Sequence, residues 1–290
     1  MTIRKAVIPV AGWGTRFLPA SKAAPKEVLP LIDRPVIQFA IEEAVAAGIS
    51  EVILVTSRGK EAIERYFQPS PELEAFLEWK GDSARLEQVR RLTGMVTMRA
   101  VIQHQQLGLG HAVLTAKDLV GGEPFAVFLP DDIIEARTPA IRQLLDVYYQ
   151  QGASVLAVVR VSQEEVSRYG IIDGAKEGPR TYRVRRLVEK PEAADAPSDL
   201  AVIGRYVLTP RIFEMLEQVR PGAIGEIQLT DAIDGLLKHE KVYALEYEGE
   251  LLDAGTPLGL LKASVRVALK RPDLAGEFRA WLREQVAREP

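Results

Sequence analysis

The sequence KAVIPVAGWGTRFLPASKAAPKEVLP, residues 5–30, joins a short apolar run at 6–10 to a loop with two glycines, one arginine and two lysines. Gly12 and Gly14 lack the side chains that would keep a phosphate away from backbone N–H groups. Arg16 offers a planar guanidinium and Lys26 a point charge, and both groups bind phosphate oxygens. Three prolines disfavour a continuous helix, so we expect an extended arm that holds these side chains over a ligand. The stretch predicts a cradle for a polyphosphate, with a solvated basic loop as the alternative.

Two familiar glycine-rich loops do not fit this stretch. A dinucleotide-binding fingerprint needs a third glycine for helix packing, but Arg16, Phe17 and Leu18 follow Gly14. A P-loop needs Gly-Lys-Ser or Gly-Lys-Thr after four spacer residues, and the stretch contains neither triplet. The expected ligand is therefore neither NAD nor the nucleotide of a switch-type GTPase.

The composition of the chain excludes several classes of function. Its 290 residues carry 37 Lys and Arg against 40 Asp and Glu, so no general charge attracts a nucleic acid or an anionic membrane. The absence of cysteine excludes disulfides, thiol catalysis and thiolate metal sites, and three histidines leave little for a histidine zinc centre. No apolar run is long enough to span a bilayer or to form a signal sequence. We expect a soluble, cytoplasmic protein with no nucleic-acid or membrane partner.

Apolar, β-branched runs alternate with segments of helical periodicity along the chain. The runs lie at 6–10, 51–56, 96–102, 125–129 and 154–161. This alternation predicts an α/β fold, with a Rossmann-like mixed, mostly parallel sheet flanked by helices. We expect one catalytic domain over residues 1–257 and a C-terminal helical extension over 258–290.

Helix boundaries can also be predicted from capping residues. Asp33 is expected to cap a first helix that has Pro35 in its first turn and ends at Gly48. Thr-Pro pairs at 138, 209 and 256 predict three further helix starts. Residues 69–94 are expected to form one or two surface helices, and 273–288 a C-terminal helix.

Three polar motifs each follow an expected strand. Gly12 to Arg16 follow the first strand, Asp131-Asp132 follow the run at 125–129, and Glu189-Lys190 follow the segment 184–188. Ligands of open α/β sheets lie beyond the carboxyl ends of the strands, so we expect the motifs to meet at one edge. Carboxylates suit Mg²⁺, although an Asp pair can also cap a turn and a Glu-Lys pair can simply be exposed.

Motifs along the whole chain resemble those of a known family. The loop matches the pattern G-x-G-T-R followed after six to ten residues by P-K. Seven further motifs follow in order: GLGHAV (108–113), LPDD (129–132), YGIID (169–173), VEKP (188–191), AVIGRYVL (201–208), GEIQLTDAI (225–233) and DAGTP (253–257). In these motifs the chain resembles the sugar nucleotidyltransferases, and most closely their bacterial uridylyltransferase branch. Trp13, where Leu or Met is usual, and Ser21, where Thr is usual, depart mildly from the pattern.

The resemblance implies a reaction and a set of site residues. The reaction is UTP plus α-D-glucose 1-phosphate giving UDP-glucose plus pyrophosphate, with Mg²⁺ as cofactor, in a homodimer or homotetramer. The implied catalytic residues are Arg16, Lys26 and Lys190; the nucleotide-binding residues are Ala11, Gly12, Gly14, Thr15, Gln103 and Gly108; the sugar-binding residues are Gly170, Glu189, Val202 and Gly204; and the metal ligands are Asp131 and Asp253. Asp132, Glu226 and Asp231 receive no definite role.

Two other functions remain open from the sequence. A thymidylyltransferase that makes dTDP-glucose would use the same loop and aspartates, although KAAPKEVLP and GEIQLTDAI favour the uridylyl branch. A catalytically silent sugar-nucleotide-binding or regulatory subunit would keep the fold. The presence of both metal-type aspartates and both lysines argues against that second alternative.

Overall fold

The computed structural model describes residues 2–222 and 225–288, which contain thirteen strands and eleven α-helices. The strands are β1 (Lys5–Pro9), β2 (Pro30–Leu31), β3 (Arg34–Pro35), β4 (Glu51–Thr56), β5 (Thr97–Ile102), β6 (Phe125–Phe128), β7 (Asp132–Glu135), β8 (Ser154–Arg160), β9 (Gly170–Lys176), β10 (Thr181–Glu189), β11 (Leu200–Leu208), β12 (Val242–Glu246) and β13 (Glu250–Asp253). The helices are α1 (Val36–Ala46), α2 (Glu61–Tyr66), α3 (Pro71–Trp79), α4 (Ser83–Leu92), α5 (Gly108–Thr115), α6 (Lys117–Val120), α7 (Ala140–Gln151), α8 (Ile212–Gln218), α9 (Leu229–Leu236), α10 (Pro257–Lys270) and α11 (Ala275–Arg288).

Nine strands form one sheet in the order β5-β4-β1-β6-β11-β8-β12-β10-β9. The strands β5, β4, β1 and β6 run parallel, and so do β8 and β12. The remaining neighbours are antiparallel, because β11 and β10 run against the strands on either side of them. The predicted α/β fold with a mixed sheet is confirmed, but parallel pairing accounts for only half of the neighbouring strand pairs rather than most.

Helices cover both faces of the sheet because alternate apolar residues of each central strand point to opposite faces. In β1, Val7 packs on one face with residues of α5, α8 and α9. Its neighbour Ile8 packs on the other face with residues of α1 and α7. Because adjacent strand residues point to opposite faces, a run of consecutive apolar residues requires a helical layer on each side. Polar loops follow the carboxyl ends of the parallel strands.

Most of the predicted elements are found within one or two residues of their expected bounds, and three local predictions are wrong. Asp33 does not cap α1, because it lies in the turn of a small hairpin in which Pro30 of β2 pairs with Pro35 of β3. Thr209 does not begin α8, which starts three residues later at Ile212. The arm after β1 is not extended but forms three short 3₁₀ turns, at Thr15–Phe17, Ala20–Lys22 and Lys26–Val28.

A second, smaller ribbon brings distant parts of the chain to the main sheet. In it β7 and β13 pair antiparallel, with Asp253 opposite Asp132. The first turn of α10 is capped by Thr256, whose Oγ1 accepts a hydrogen bond from the Gly259 N–H at 3.0 Å, as predicted. In the part of the chain that the structure describes, no helix combines the length and apolarity needed to cross a bilayer.

Candidate active site

Two neighbouring cavities open beyond the carboxyl ends of β1 and β6. The first, of about 440 Å³, is bounded by the loop that contains Gly12 and Gly14, and we call it the glycine-loop cavity. The second, of about 590 Å³, contains Glu189 and is called the Glu189 cavity. The residues that line both cavities are Leu109, Leu129, Asp131 and Glu226. Two ligands placed in these cavities would therefore meet at Asp131.

All of the site residues predicted from sequence line one or both cavities. Those of the glycine-loop cavity are Ala11, Gly12, Gly14, Thr15, Lys26, Gln103 and Gly108. Those of the Glu189 cavity are Arg16, Gly170, Glu189, Lys190, Val202, Gly204 and Asp253, and Asp131 lines both. Of the three residues without a predicted role, Glu226 lines both cavities, Asp132 lines the Glu189 cavity, and Asp231 lines neither. The fold thus gathers these residues, whereas their individual roles stay predictions.

Lys26 and Asp131 form an ion pair where the two cavities meet. Lys26 Nζ lies 2.6 Å from Asp131 Oδ2. Burial by itself would lower the pKa of Lys26, but the neighbouring Asp131 carboxylate outweighs this effect and raises the pKa. Burial would likewise raise the pKa of Asp131, but the Lys26 ammonium holds that pKa below its usual value. Both groups are therefore charged at neutral pH.

The surroundings of Asp131 and Asp253 fit a divalent cation. A Cβ added to Gly255 would lie 3.0 Å from Asp131 Oδ2 and 3.0 Å from Asp253 Oδ1, so both carboxylates face the space beside this glycine. The Ala254 N–H donates to the Asp131 carbonyl at 2.8 Å and fixes the two segments together. Among the described residues, no group of three or more acidic, histidine or cysteine side chains is placed to hold a metal alone. Mg²⁺ commonly binds one or two carboxylates and completes its shell with phosphate and water, which suits this pair.

Arg205, which sequence reasoning missed, holds the turn that carries Asp131. It lies in β11 and is only 1% exposed. Its guanidinium donates to Glu43 Oε2 at 2.8 and 3.1 Å, to the Leu129 carbonyl at 3.0 Å and to the Asp132 carbonyl at 2.7 Å. A planar guanidinium can bridge several acceptors that the single ammonium of lysine cannot reach together. An arginine within the apolar run AVIGRYVL was the signal in the sequence.

Gly204 supports the same turn from the adjacent position. A Cβ at Gly204 would lie 2.5 Å from Leu129 Cβ, so only glycine fits here. Its N–H donates to Asp132 Oδ2 at 2.8 Å, and its carbonyl accepts from the Leu129 N–H and from Arg205. The side chain of Asp132, which accepts this hydrogen bond, has its pKa raised to about 7 by burial and by the nearby Asp131 carboxylate. Because both backbone polar groups of Gly204 are used within the protein, this glycine shapes the cavity and offers a ligand no free hydrogen-bonding group.

Glu189 and Lys190 both line the Glu189 cavity because the strand ends between them. Adjacent residues of a regular strand would point to opposite faces. β10 ends at Glu189, and Lys190 has a φ of 43°, in the left-handed region that lysine rarely adopts. Glu189 Oε2 accepts from Thr230 Oγ1 at 2.7 Å, and Lys190 Nζ lies 3.2 Å from Glu189 Oε1. A Cβ at Gly170 would approach Glu189 Oε2 to 3.3 Å, so this glycine keeps space around the carboxylate.

Gln103 is buried in the wall of the glycine-loop cavity with its amide group fixed. Its Nε2 donates to the Gly108 carbonyl at 3.3 Å and lies 2.9 Å from His111 Nδ1. With His111 Nδ1 as the acceptor, both N–H bonds of the amide are used, which leaves Oε1 as an acceptor for a ligand. His111, in the motif GLGHAV, therefore orients the glutamine.

A buried ion pair lies beside the turn that carries Lys26. Glu27 belongs to the same 3₁₀ turn, and its Oε2 accepts a hydrogen bond from Lys60 Nζ at 2.9 Å. Both side chains are almost completely buried. A buried charge needs a charged partner to avoid a large desolvation cost, so each residue requires the other. Sequence reasoning gave no reason to connect these two positions.

Comparison with known proteins agrees with this geometry. The family model described as "Nucleotidyl transferase" matches residues 5–269. The chain belongs to the nucleotidyl transferase family. A UTP–glucose-1-phosphate uridylyltransferase of Staphylococcus epidermidis is 51% identical to it over 97% of this chain and 98% of that protein.

Solved structures extend the comparison to the fold. A UTP-bound UGPase from Acinetobacter baumannii is 41% identical with a TM-score of 0.91, over 98% of this nucleotidyl transferase and 99% of that chain. A UDP-glucose pyrophosphorylase complexed with UDP-glucose is also 41% identical, with a TM-score of 0.86 over 93% of this chain and 100% of that chain. The whole described fold is therefore shared with enzymes of this family.

Arg168 is a further residue of this nucleotidyl transferase that sequence reasoning missed. It lines the Glu189 cavity, and its Nη2 lies 3.4 Å from Asp253 Oδ2. Its guanidinium also stands 5.6 Å from the centre of the Tyr169 ring. It therefore adds positive charge at the side of the cavity where Asp253 lies. In the polar segment before YGIID, nothing in the sequence distinguished it from a solvated arginine.

Proposed function

We propose that this nucleotidyl transferase forms UDP-glucose and pyrophosphate from UTP and α-D-glucose 1-phosphate. The observation that carries the proposal is the pair of cavities that share Asp131, with the Lys26–Asp131 ion pair at their junction. Transfer of a uridylyl group to a sugar phosphate requires both substrates to bind next to each other beside charged groups, and this arrangement provides such a place. The substrate choice is supported by the names of the similar proteins and by the ligands in their structures, UTP and UDP-glucose.

The glycine-loop cavity would hold the nucleotide. Uracil presents an N3–H donor beside the O4 acceptor, and Gln103 Oε1 would accept from N3–H while the Gly108 N–H, at the start of α5, would donate to O4. Cytosine presents an acceptor at N3 and a donor at C4, so it would face the wrong partners. A Cβ at Gly12 would meet no atom within 4 Å, which leaves room for phosphate to approach the backbone.

The Glu189 cavity would hold the sugar phosphate. Glu189 is fixed by Thr230 and can accept hydrogen bonds from sugar hydroxyls. Lys190 is about half exposed at the cavity edge, so its ammonium remains able to move onto a phosphate. Gly170 and Val202 line the same space. This division places the sugar opposite the nucleoside, with the reacting phosphates between them.

The proposed reaction needs no general base. The second pKa of a phosphate monoester is about 6, so the attacking oxygen of the sugar phosphate is largely ionised at neutral pH. The protein then aligns the attacking oxygen, the α-phosphorus and the leaving pyrophosphate, and it surrounds them with positive charge. Arg16 and Lys26 would bind the pyrophosphate, and Lys190 the sugar phosphate. A divalent cation, which we propose to be Mg²⁺, would be held by Asp131 and Asp253 and would neutralise the phosphate charge.

The test is release of pyrophosphate from UTP and glucose 1-phosphate in the presence of Mg²⁺, measured with each substrate omitted in turn. The proposal expects stoichiometric pyrophosphate and UDP-glucose only when both substrates are present. Competition between UTP and dTTP in the same assay separates uridylyl from thymidylyl transfer. Absence of pyrophosphate release, with retained binding of UDP-glucose, would instead support a sugar-nucleotide-binding subunit.

Three further expectations accompany the proposed function. We infer a homodimer or homotetramer, a cytoplasmic location and a C-terminal extension that begins at residue 258. The resemblance to the uridylyltransferase branch supports the first, and the absence of cysteine accords with the second. In the structure, Ala263 and Val267 of α10 pack with Leu31 and Leu252, so the start of the extension is anchored on the catalytic part. Light scattering during gel filtration tests the oligomeric state.

A further inference from the structure

Trp13 is an exposed aromatic residue at the wall of the glycine-loop cavity. Its side chain is 71% exposed, and it stands between Gly12 and Gly14. Among the described residues that line this cavity, it provides the one aromatic ring. The catalytic roles derived above do not use it. A large, water-exposed ring beside an open cavity is a feature for which the fold itself gives no packing reason.

Two side chains that donate to the Ala11 carbonyl hold the glycine loop, which contains Trp13, beside the proposed base site. Gln106 Nε2 donates to the Ala11 carbonyl at 3.3 Å, which ties the glycine loop to the segment that contains Gln103. Ser57 Oγ donates to the same carbonyl at 3.1 Å. Trp13 lines the glycine-loop cavity and not the Glu189 cavity, whereas Arg16, three residues later, does the reverse. Trp13 therefore lies on the side of the site where the nucleotide would bind, and away from the Glu189 cavity.

We propose that Trp13 stacks on the base of the bound nucleotide. This inference rests on the proposed function, because it takes the glycine-loop cavity as the nucleotide site. Stacking of a base on an aromatic ring depends on the flat face of the base, which all nucleobases share. Gln103 contacts the edge of the base and determines which base is accepted, whereas Trp13 adds affinity for any base.

Leu18 on the same loop offers a matched comparison. It is 60% exposed but lines neither cavity. If Trp13 were exposed only to contact another protein, nucleotide binding would depend on neither Trp13 nor Leu18. The base-stacking proposal requires that Trp13 and not Leu18 affects nucleotide affinity.

Tryptophan fluorescence tests the stacking directly. The chain has three tryptophans, and the other two, Trp79 in α3 and Trp281 in α11, line neither cavity. In the variant Trp79→Phe/Trp281→Phe, UTP added without sugar phosphate should quench the remaining fluorescence, whereas inorganic tripolyphosphate should bind and leave it unchanged. Equal quenching by both ligands, or none by UTP at a concentration that saturates binding, would overturn the proposal.

Affinity measurements provide the second arm. Trp13→Leu should raise the Kd for UTP about 10-fold, Trp13→Phe should raise it less, and the Kd for tripolyphosphate should not change. Leu18→Ala should bind UTP like the parent protein. An unchanged Kd for UTP in Trp13→Leu contradicts the stacking proposal alone. Failure of the unmodified protein to bind UTP at all would instead contradict the proposed function, so the two failures are distinguishable.

Discussion

Lys60 connects the end of the first strand to Glu27 by donating to both at once. Its Nζ lies 2.5 Å from the Val10 carbonyl and 2.9 Å from Glu27 Oε2. Burial lowers the pKa of Lys60 and raises that of Glu27, so desolvation opposes the charged state of each residue, and their mutual attraction offsets only part of that cost. Val10 and Glu27 lie at the two ends of the loop that carries Lys26, so Lys60 contacts both ends. Its most direct effect is to hold this loop in position.

Removing Lys60 should therefore damage stability and catalysis separately. Lys60→Met leaves the Glu27 carboxylate buried without its partner and should lower the free energy of unfolding by about 3 kcal/mol. The double variant Lys60→Met/Glu27→Leu should regain most of that loss, because no charge is left buried. Activity should stay at least about 10-fold below the parent protein in both variants, because Lys26 is no longer held in place. Thermal unfolding and steady-state kinetics measure the two effects, and full activity of the double variant would show that the pair is only structural.

Asp131 and Asp253 should act together in metal-dependent turnover. Replacing either with Asn keeps the shape but removes a charge, and it should reduce kcat by at least about 100-fold. The Mg²⁺ concentration for half-maximal activity should also rise. Asp231→Asn is the matched control, because Asp231 lines neither cavity and its replacement should leave turnover unchanged. Near-normal activity of Asp253→Asn at saturating Mg²⁺ would contradict the assignment.

Gln103 should determine which base is accepted. Gln103→Ala removes the acceptor for the N3–H of uracil and should cost about 1–3 kcal/mol in kcat/KM for UTP, with weaker discrimination against CTP. His111→Phe should produce part of the same effect, because it frees the glutamine amide to rotate. Kinetics with UTP, dTTP and CTP measure the discrimination. An unchanged nucleotide profile would place the base pocket elsewhere.

Lys190 and Arg16 should differ in their kinetic effects. If Lys190 stabilises the transition state more than the bound substrates, Lys190→Ala should lower kcat strongly and change the affinity for UTP little. Arg16→Ala should weaken UTP binding and also slow turnover, because Arg16 is expected to hold the leaving pyrophosphate. Initial-rate measurements over both substrates separate kcat from KM. A Lys190→Ala variant with normal kcat and only a raised KM for glucose 1-phosphate would make Lys190 a binding group.

The sequence predicted the strands and the cavity-lining motifs because both depend on local patterns. Runs of apolar residues mark strands, and polar motifs at strand ends converge by topology. Contacts between distant positions were out of reach: Arg205 reaches Glu43 across 162 positions, and Lys60 reaches Glu27 across 33. The wrong cap at Asp33 has a similar cause. The preference of Asp33 for a helix N-cap is overridden by a hairpin, and preferences of single residues do not predict which residues pair in a hairpin.

The wall shared by the two cavities has a consequence for the end product of the proposed reaction. In the proposed arrangement, a molecule that carries both the uridylyl and the glucosyl parts would span the shared wall and occupy both cavities. While it stays bound, neither starting compound can enter. Accumulated sugar nucleotide would thus slow its own synthesis by occupying the site, and the supply of activated glucose would follow its consumption.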